Sequence, residues 1–550
     1  MAIHTDWVSP AQEITGRDHL GVQAVSEHLY ATLLPGITNV TDRARCYAFY
    51  PWFVWKFDRE SKDKSIGELI RVFRRAECLH TLIGINHELE TDNEWAHGGG
   101  LVGRDTLVDV ARRLGEGKGI RLSQYAELDA ETDDRYFKNK LGGLGQYYLG
   151  PLKELEVLDG DSQRGIKYTD TWGTALAELF DKGVDGAEFF KAVRHDQVSL
   201  PVIRSLRSFC PCNLRKNGKE RDAIIDLLFC RSHQEARDEI GLERRNTLLL
   251  VLDYARQVRN IKGQAVEPNG FLSSTYTGCV PGGSTWKVLP LLQNAIEGWG
   301  VYQRHELLAV AVQGLFWAGL AALSDDGGYV ADVKSYATWF GRYFKSSFGK
   351  HYAKTSFASL VEKECANQPS QMDWNSPDHE LNIADALLVA QRQNDFNQVV
   401  VLSLRIITSL LARESSAGAY GRFQITDRLL DAYEINLASL QRLSKGAWSQ
   451  MNFSEWIEWL AANWGIQCHF RVALRKLRHQ TQDTFRIVPL DDGLHVREAP
   501  TARWSSPRLE QAFRFLYDLG ALDDCKNAAA GSYVLSDLGH KVLEDELGRA

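Results

Sequence analysis

Soft metal ligands gather at one place in the sequence. Cys210-Pro211-Cys212 is followed, after a gap of 17 residues, by Cys230-Arg231-Ser232-His233. Three sulfurs and an imidazole match the number and kind of donors that a structural Zn²⁺ takes. The spacing departs from paired Cys-x-x-Cys motifs, and residues 220–229 between them read as a helix with a core face of its own. A Cys-x-Cys turn plus a buried helix-end cysteine therefore competes with the metal set Cys210, Cys212, Cys230 and His233. A second pair, Arg75 and His80, falls in a helical segment. An ordinary half-exposed helix face accounts for such pairs. The loop 98–106 has the glycines of a phosphate cradle, but Arg104-Asp105 stands where Lys-Ser/Thr would bind phosphate and Mg²⁺. There is no GxSxG and no HExxH, and among 71 acidic residues no carboxylate pair singles itself out. The expectation is a protein without a cofactor that binds rather than catalyses.

Phosphate contact is the next chemistry the residues could support. If 506–518 is a helix, Leu509, Ala512, Phe513, Leu516 and Leu519 share its apolar face, and Arg508, Gln511 and Arg514 lie away from it. Arginine can reach guanine edges or phosphates and glutamine can pair with adenine. Upstream, Arg471, Arg475, Lys476, Arg478 and Arg486 stand against a single acid, Asp483. That local excess suits a phosphate backbone, so double-stranded DNA is an expected partner at Arg471, Arg475, Lys476, Arg478, Arg508, Gln511 and Arg514. Glu510, Asp518, Asp523, Asp524 and the acidic 544–546 argue instead for docking to protein. The run Arg204, Arg207, Arg215, Lys216, Lys219 and Arg221 reads as a solvated loop, with a second phosphate patch as its alternative. Residues 33–45, which include Arg43 and Arg45, lead into the aromatic run 47–55. Consecutive rings point to core packing, and stacking on bases is the competing reading.

The elements that would position these groups follow from length and periodicity. At roughly 150 residues per domain, 550 residues are enough for about three to four domains and large cores. A net charge of −7 excludes a polycation that coats nucleic acid, so any such contact is local. Nine scattered cysteines fit a reducing cytoplasm rather than a disulfide framework. Residues 307–323 form the best membrane candidate, but 17 residues with one Gln and two glycines read as a buried core helix, and no membrane association is expected. Helical spacing prevails, with long segments at 67–90, 237–262, 286–323 and 383–413.

Two stretches repeat one plan. The first runs Leu152 to Asp159, a Gly/Ser-rich gap, Tyr168-Thr169-Asp170, Gly173 and a closing helix. The second runs Leu516 to Asp523, an Ala/Gly-rich gap, Tyr533 to Asp537, Gly539 and a closing helix. Each is a helix ending in a short apolar segment, a polar loop, a second strand and a capped helix. The order resembles the winged-helix fold. Glu156 replaces the glycine expected at the first helix end, so that copy is degenerate. Its Glu154, Glu156, Asp159 and Asp161 would repel phosphate, and protein is its expected partner.

The resulting fold class is mainly α, a large helical body with two winged-helix modules. The expected domains are an N-terminal helical region (1–135), a degenerate winged helix (136–185), a central helical body (186–440) and a C-terminal winged-helix domain (441–550). Paired modules of this kind resemble uncharacterised bacterial proteins from multi-gene anti-phage defence loci. The resemblance implies a cytoplasmic, non-catalytic DNA-binding or adaptor subunit of a defence or DNA-handling complex, partnered by proteins encoded at the same locus. The alternative is an RNA- or DNA-cleaving effector, since the Arg75…His80 pair resembles the short signature of a helical ribonuclease family; the resemblance implies His80 as acid or base and Arg75 as the group that stabilises a phosphorane.

Overall fold

The computed structural model describes residues 12–13, 18–115, 117–129, 135–161, 165–231, 239–259, 261, 265–348, 354–414, 432–480, 482–525 and 531–548. Helices dominate and the strands are short, so the fold is mainly α. The chain forms two compact units. One comprises Met1–Tyr30, Leu272–Trp286 and Ile296–Ser506; the other comprises Ala31–Phe271, Lys287–Ala295 and Pro507–Ala550. The expected stretch 441–550 is thus cut after Ser506, and the basic residues 471–478 and 508–514 fall in different units. Composition along a sequence marks local changes of element type. A unit, however, is closed by contacts between distant segments, and this chain leaves the second unit at Phe271 and returns to it for good at Pro507.

In the first unit the apolar run 307–323 lies within the helix Gln293–Asp325 and is almost wholly buried. Among the described residues, Pro290–Asp325 and Phe396–Arg413 are long and apolar enough to cross a bilayer, and 83% and 72% of their most apolar windows are buried within the protein. The two glycines of the run have a packing cause. A Cβ on Gly319 would meet the Tyr336 hydroxyl at 2.1 Å and the Phe340 ring at 2.8 Å, and one on Gly314 would meet the Ser403 hydroxyl at 2.7 Å. Close approach of neighbours outweighs the ~1 kcal/mol by which glycine disfavours a helix. The segment 383–413 forms two helices, Glu380–Arg392 and Phe396–Glu414. Asn394 between them takes φ 55°, and the Asp395 carboxylate accepts the N–H of Gln398 at 3.0 Å, which starts the second helix. Trp448 packs against Trp456 and Trp464 at ring separations of 5.8 and 5.1 Å in the same core.

The second unit is built on the aromatic run. The helix Cys46–Glu60 buries Phe49, Trp52 and Phe53 against Phe180, Phe189, Phe190 and Phe209, so the rings are core. Beside it runs the helix Ile66–Thr91, capped by the Ser65 hydroxyl on the N–H of Glu68 and ended by Asp92 at φ 53°.

The internal repeat is reproduced bond for bond, with both copies in this unit. Val157 N–H donates to Leu152 O at 2.8 Å, as Ala521 does to Leu516; Glu156 N–H donates to Lys153 O at 3.0 Å, as Gly520 does to Tyr517 at 2.9 Å. The strands Leu158–Asp161 and Gly165–Tyr168 form one antiparallel hairpin, and Leu522–Asp524 and Tyr533–Leu535 form the other. The Thr169 and Ser536 hydroxyls each donate at 2.6 Å to the carbonyl of the residue that turns the chain, Glu156 and Gly520, and each accepts the N–H of a glycine at 2.9 Å. Those glycines, Gly173 and Gly539, are required by close approach. A Cβ would lie 2.5 Å from Val157 O in one copy and 2.1 Å from Ala521 O in the other. Glu156 holds φ 54° where Gly520 holds φ 77°, so the degenerate copy keeps the geometry without the glycine. These two helix–hairpin–helix modules are the repeated elements of the fold.

Candidate functional site

A segment of the second unit, residues 34–45, links both modules. Gly36 donates its N–H to Glu154 of the N-terminal module at 2.8 Å. At the C-terminal module, Arg43 grips Asp518 through Nε and Nη2 at 3.0 and 2.9 Å, and the N–H of Ala44 donates to the same carboxylate at 3.0 Å. The remaining Arg43 donors reach the carbonyls of Gly99 at 2.9 Å and of His97 and Ala96 at 3.3 Å. Arg45 grips Glu220 at 2.8 and 3.0 Å and donates to Ser208 O at 2.6 Å and Cys210 O at 2.7 Å. All four charged side chains are buried. The competing sequence reading, in which these arginines stack on bases, is therefore corrected: each is consumed by a carboxylate and by carbonyls.

This linking segment also covers the face expected to read DNA. Arg508 donates to Leu34 O at 3.3 Å; Gln511 is buried and donates to Asn39 O at 3.2 Å and to Asp42 at 3.0 Å. Arg514 pairs with Asp42 at 2.6 Å and lies 4.2 Å above the Trp95 ring. Three residues placed outward by helical periodicity are thus half-buried or buried against their own chain. A cleft of about 580 Å³ lies beside them, lined by Asp42, Trp95, Glu267, Glu510, Arg514 and Asp524 among others. Glu267 accepts from the Ser532 hydroxyl at 2.6 Å and Asp524 from the Tyr517 hydroxyl at 2.8 Å, while Glu510 is exposed. Carboxylates outnumber the arginines on its wall, where Asp42 and Asp518 are paired with Arg514 and Arg43, and Trp95 is partly exposed.

The other basic residues lie on the helix Cys468–Gln480 of the first unit. Arg471 pairs with Glu434. Arg475 donates to Ala432 O at 2.8 Å and covers the Tyr433 ring at 4.4 Å. Lys476 is half-buried on Asp18 O, and burial pushes its ammonium below the ordinary lysine range. Arg471 and Arg478 are the exposed members of the set.

Arg75 and His80 are not brought to one accessible place. Arg75 pairs with Glu127 at 2.5 Å and with Asp196 at 3.5 Å. His80 is buried and stacked on Phe49 at 4.1 Å, and burial, with the charge of Arg45 behind it, holds its imidazole down at about 3. A neutral ring sealed from solvent does no acid–base work on a phosphodiester, so the geometry leaves the pair a structural role.

The metal reading is half retained. Cys210 and Cys212 do converge with two imidazoles, but these are His87, in the last turns of the helix Ile66–Thr91, and His97, in the turn beyond it. One ligand atom from each of the four lies within 4.8 Å of the others. His97 Nδ1 is 3.3 Å from Cys210 Sγ, His87 Nδ1 is 3.7 Å from Cys212 Sγ, and the two rings are 3.9 Å apart. Cys210 and His97 are buried; His87 and Cys212 are half-buried. A hydrogen bond from Cys210 and the nearby imidazoles draw the Cys212 thiol down, whereas burial pushes that of Cys210 up. Cys230 stands apart from the group: its sulfur accepts from Arg244 at 3.2 Å. His233 lies outside the described residues. Sequence reasoning missed His87 and His97 because they precede Cys210 by more than a hundred residues; the surviving signal was the Cys-x-Cys turn.

No protein-family model, no curated protein and no solved structure matches this chain.

Proposed function

We propose that this chain is a non-catalytic adaptor subunit of a multi-protein bacterial complex of the defence or DNA-handling kind, with its paired helix–hairpin–helix modules acting as winged helices that dock protein. The observation that carries the reading is the covering of Arg508, Gln511 and Arg514 by residues 34–42, which removes the face a groove-reading helix needs. The carboxylate-rich cleft beside the C-terminal hairpin favours a basic segment of a partner and opposes phosphate. Its exposed Trp95 suits an apolar or cationic anchor. Co-expression with the products of flanking genes, followed by size-exclusion chromatography with light scattering, tests the assignment. A stable hetero-complex that E510K/D524K disrupts supports it, and a chain that stays alone in every pairing overturns it.

A second reading keeps duplex contact, but moves it to the helix Cys468–Gln480, where Arg471 and Arg478 are exposed. Under it, R471E/R478E weakens binding and flattens its salt dependence by roughly one unit of log–log slope for each phosphate that the variant no longer neutralises. A gel-shift titration in which R471E/R478E binds as the parent does removes it.

A further inference from the structure

We propose that His87, His97, Cys210 and Cys212 hold one structural Zn²⁺ and that this ion pins the turn after the helix Ile66–Thr91 to the turn 210–212. Among the described residues this is the group of His, Cys, Asp and Glu side chains close enough to share an ion. It contains two sulfurs and two imidazoles and no carboxylate, a donor set that selects zinc over Mg²⁺ or Ca²⁺. Bond lengths of about 2.3 Å to sulfur and 2.0–2.1 Å to nitrogen place tetrahedral ligand atoms about 3.3–3.8 Å apart. A sulfur and a nitrogen on one such ion stand about 3.6 Å apart, and the two S···N separations, 3.3 and 3.7 Å, lie on either side of that value. Four protein ligands leave no open coordination position, which makes the site structural rather than catalytic.

The surroundings are built to hold the ligands in place. Arg43 donates to the carbonyls of Ala96, His97 and Gly99, and so clamps the turn that carries His97. Arg45 donates to the carbonyls of Ser208 and Cys210, and so clamps the turn that carries the thiols. Both guanidiniums come from one short segment, so their bonds to carbonyls tie the two ligand turns together without the metal, and the ion pairs with Asp518 and Glu220 hold the guanidiniums in place. The burial gradient, with Cys210 and His97 inside and His87 and Cys212 half-buried, gives an entry side. Metal and arginines then hold the same two turns, and the loss of either loosens the other.

The test uses the full chain, purified free of any polyhistidine tag and never exposed to chelator. Elemental analysis should find about one zinc per chain. Exchange for Co²⁺ should give the ligand-field bands of a tetrahedral site together with sulfur-to-cobalt charge transfer. C212S and H87N should lose the metal, and C230S should keep it. H87C should retain it with three thiolates, and its charge-transfer absorbance per cobalt should rise by about half; a merely structural His87 would not produce that rescue. Should C212S fail to fold, the H87N and H87C pair decides. Protein that takes up neither zinc nor cobalt overturns the site, as does a Cys210–Cys212 disulfide that persists after treatment with a thiol reductant. Metal kept in H87N, or lost in C230S, overturns the ligand assignment.

Discussion

Replacing Arg43 with methionine should destabilise the second unit severely, and the size of the effect can be worked from the bonds it makes. The guanidinium makes a two-pronged pair with Asp518 at 3.0 and 2.9 Å and bonds three carbonyls. Both charged side chains are buried. Leaving a buried carboxylate without its cation costs about 3–5 kcal/mol. The N–H of Ala44, 3.0 Å from Asp518, retains part of that. Each stranded carbonyl adds about 1 kcal/mol where water does not reach it. R43M should therefore lose about 6 kcal/mol, roughly four powers of ten in the opening equilibrium, if all three carbonyls stay dry, and about 3–4 kcal/mol if water reaches them. D518L, which strands the arginine instead, should lose a similar amount. The double variant R43M/D518L removes both charges and should lose about 2 kcal/mol less than the two single losses summed. Urea titration followed by tryptophan fluorescence reads the total. Hydrogen exchange of 509–518 reads whether the C-terminal module opens where Asp518 is released. A loss below about 1 kcal/mol in R43M, or strict additivity of the two variants, would show that this segment does not fasten the module.

Three further outcomes follow from local geometry. E156G should stabilise the N-terminal module by about 0.5–1 kcal/mol, because a non-glycine residue at φ 54° costs about 1–2 kcal/mol and glycine's extra entropy in the unfolded chain returns part of it; an unchanged or lowered midpoint in thermal melts refutes this. G319A should cost about 1–3 kcal/mol despite better helix propensity, since its Cβ would lie 2.1 Å from the Tyr336 hydroxyl; calorimetry showing a gain would mean the neighbouring helix yields. His80 is held down at about 3 against 6.5 in the unfolded chain, so its contribution is intact above pH 6.5 and is lost at about 1.4 kcal/mol per pH unit as pH falls toward 3. H80L should flatten the decline of urea midpoints between about pH 4 and 6.5 by one proton's worth, and parallel profiles in parent and variant would refute the assignment.

What the sequence made legible was local. The repeat was visible because its turn chemistry is contiguous: Thr169 and Ser536 cap through hydroxyls, and Gly173 and Gly539 follow within four residues because a Cβ there would strike the opposing backbone. The aromatic helix and the buried apolar run were likewise readable from consecutive residues. The helical spacing of 383–413 runs through the break at Asn394-Asp395, although both residue types are ones that end and start helices. The metal group illustrates the opposite limit. Cys210-Pro211-Cys212 stands out, but its partners come from a helix end more than a hundred residues upstream, and the nearer Cys230 is bonded by Arg244 instead.

The fate of the outer face of the C-terminal helix shows why amphipathicity is an incomplete guide to function. Helical period correctly turned Leu509, Ala512, Phe513 and Leu516 inward. It could say only that Arg508, Gln511 and Arg514 point elsewhere, and a polar residue facing away from one core can still face another part of its own chain. Here Asp42, Asn39 and Leu34 supply one acceptor group each from a segment about 470 residues away. The same segment turns Arg43 and Arg45 inward to Asp518 and Glu220. A short sequence whose arginines, set beside aromatic rings, could stack on bases is thus a fastener: its charges are matched within the fold, and the adjoining cleft keeps Glu267, Glu510 and Asp524 on its wall. Under the proposed adaptor function that wall would receive a basic segment of a partner protein, a match of charge that duplex phosphate would not make.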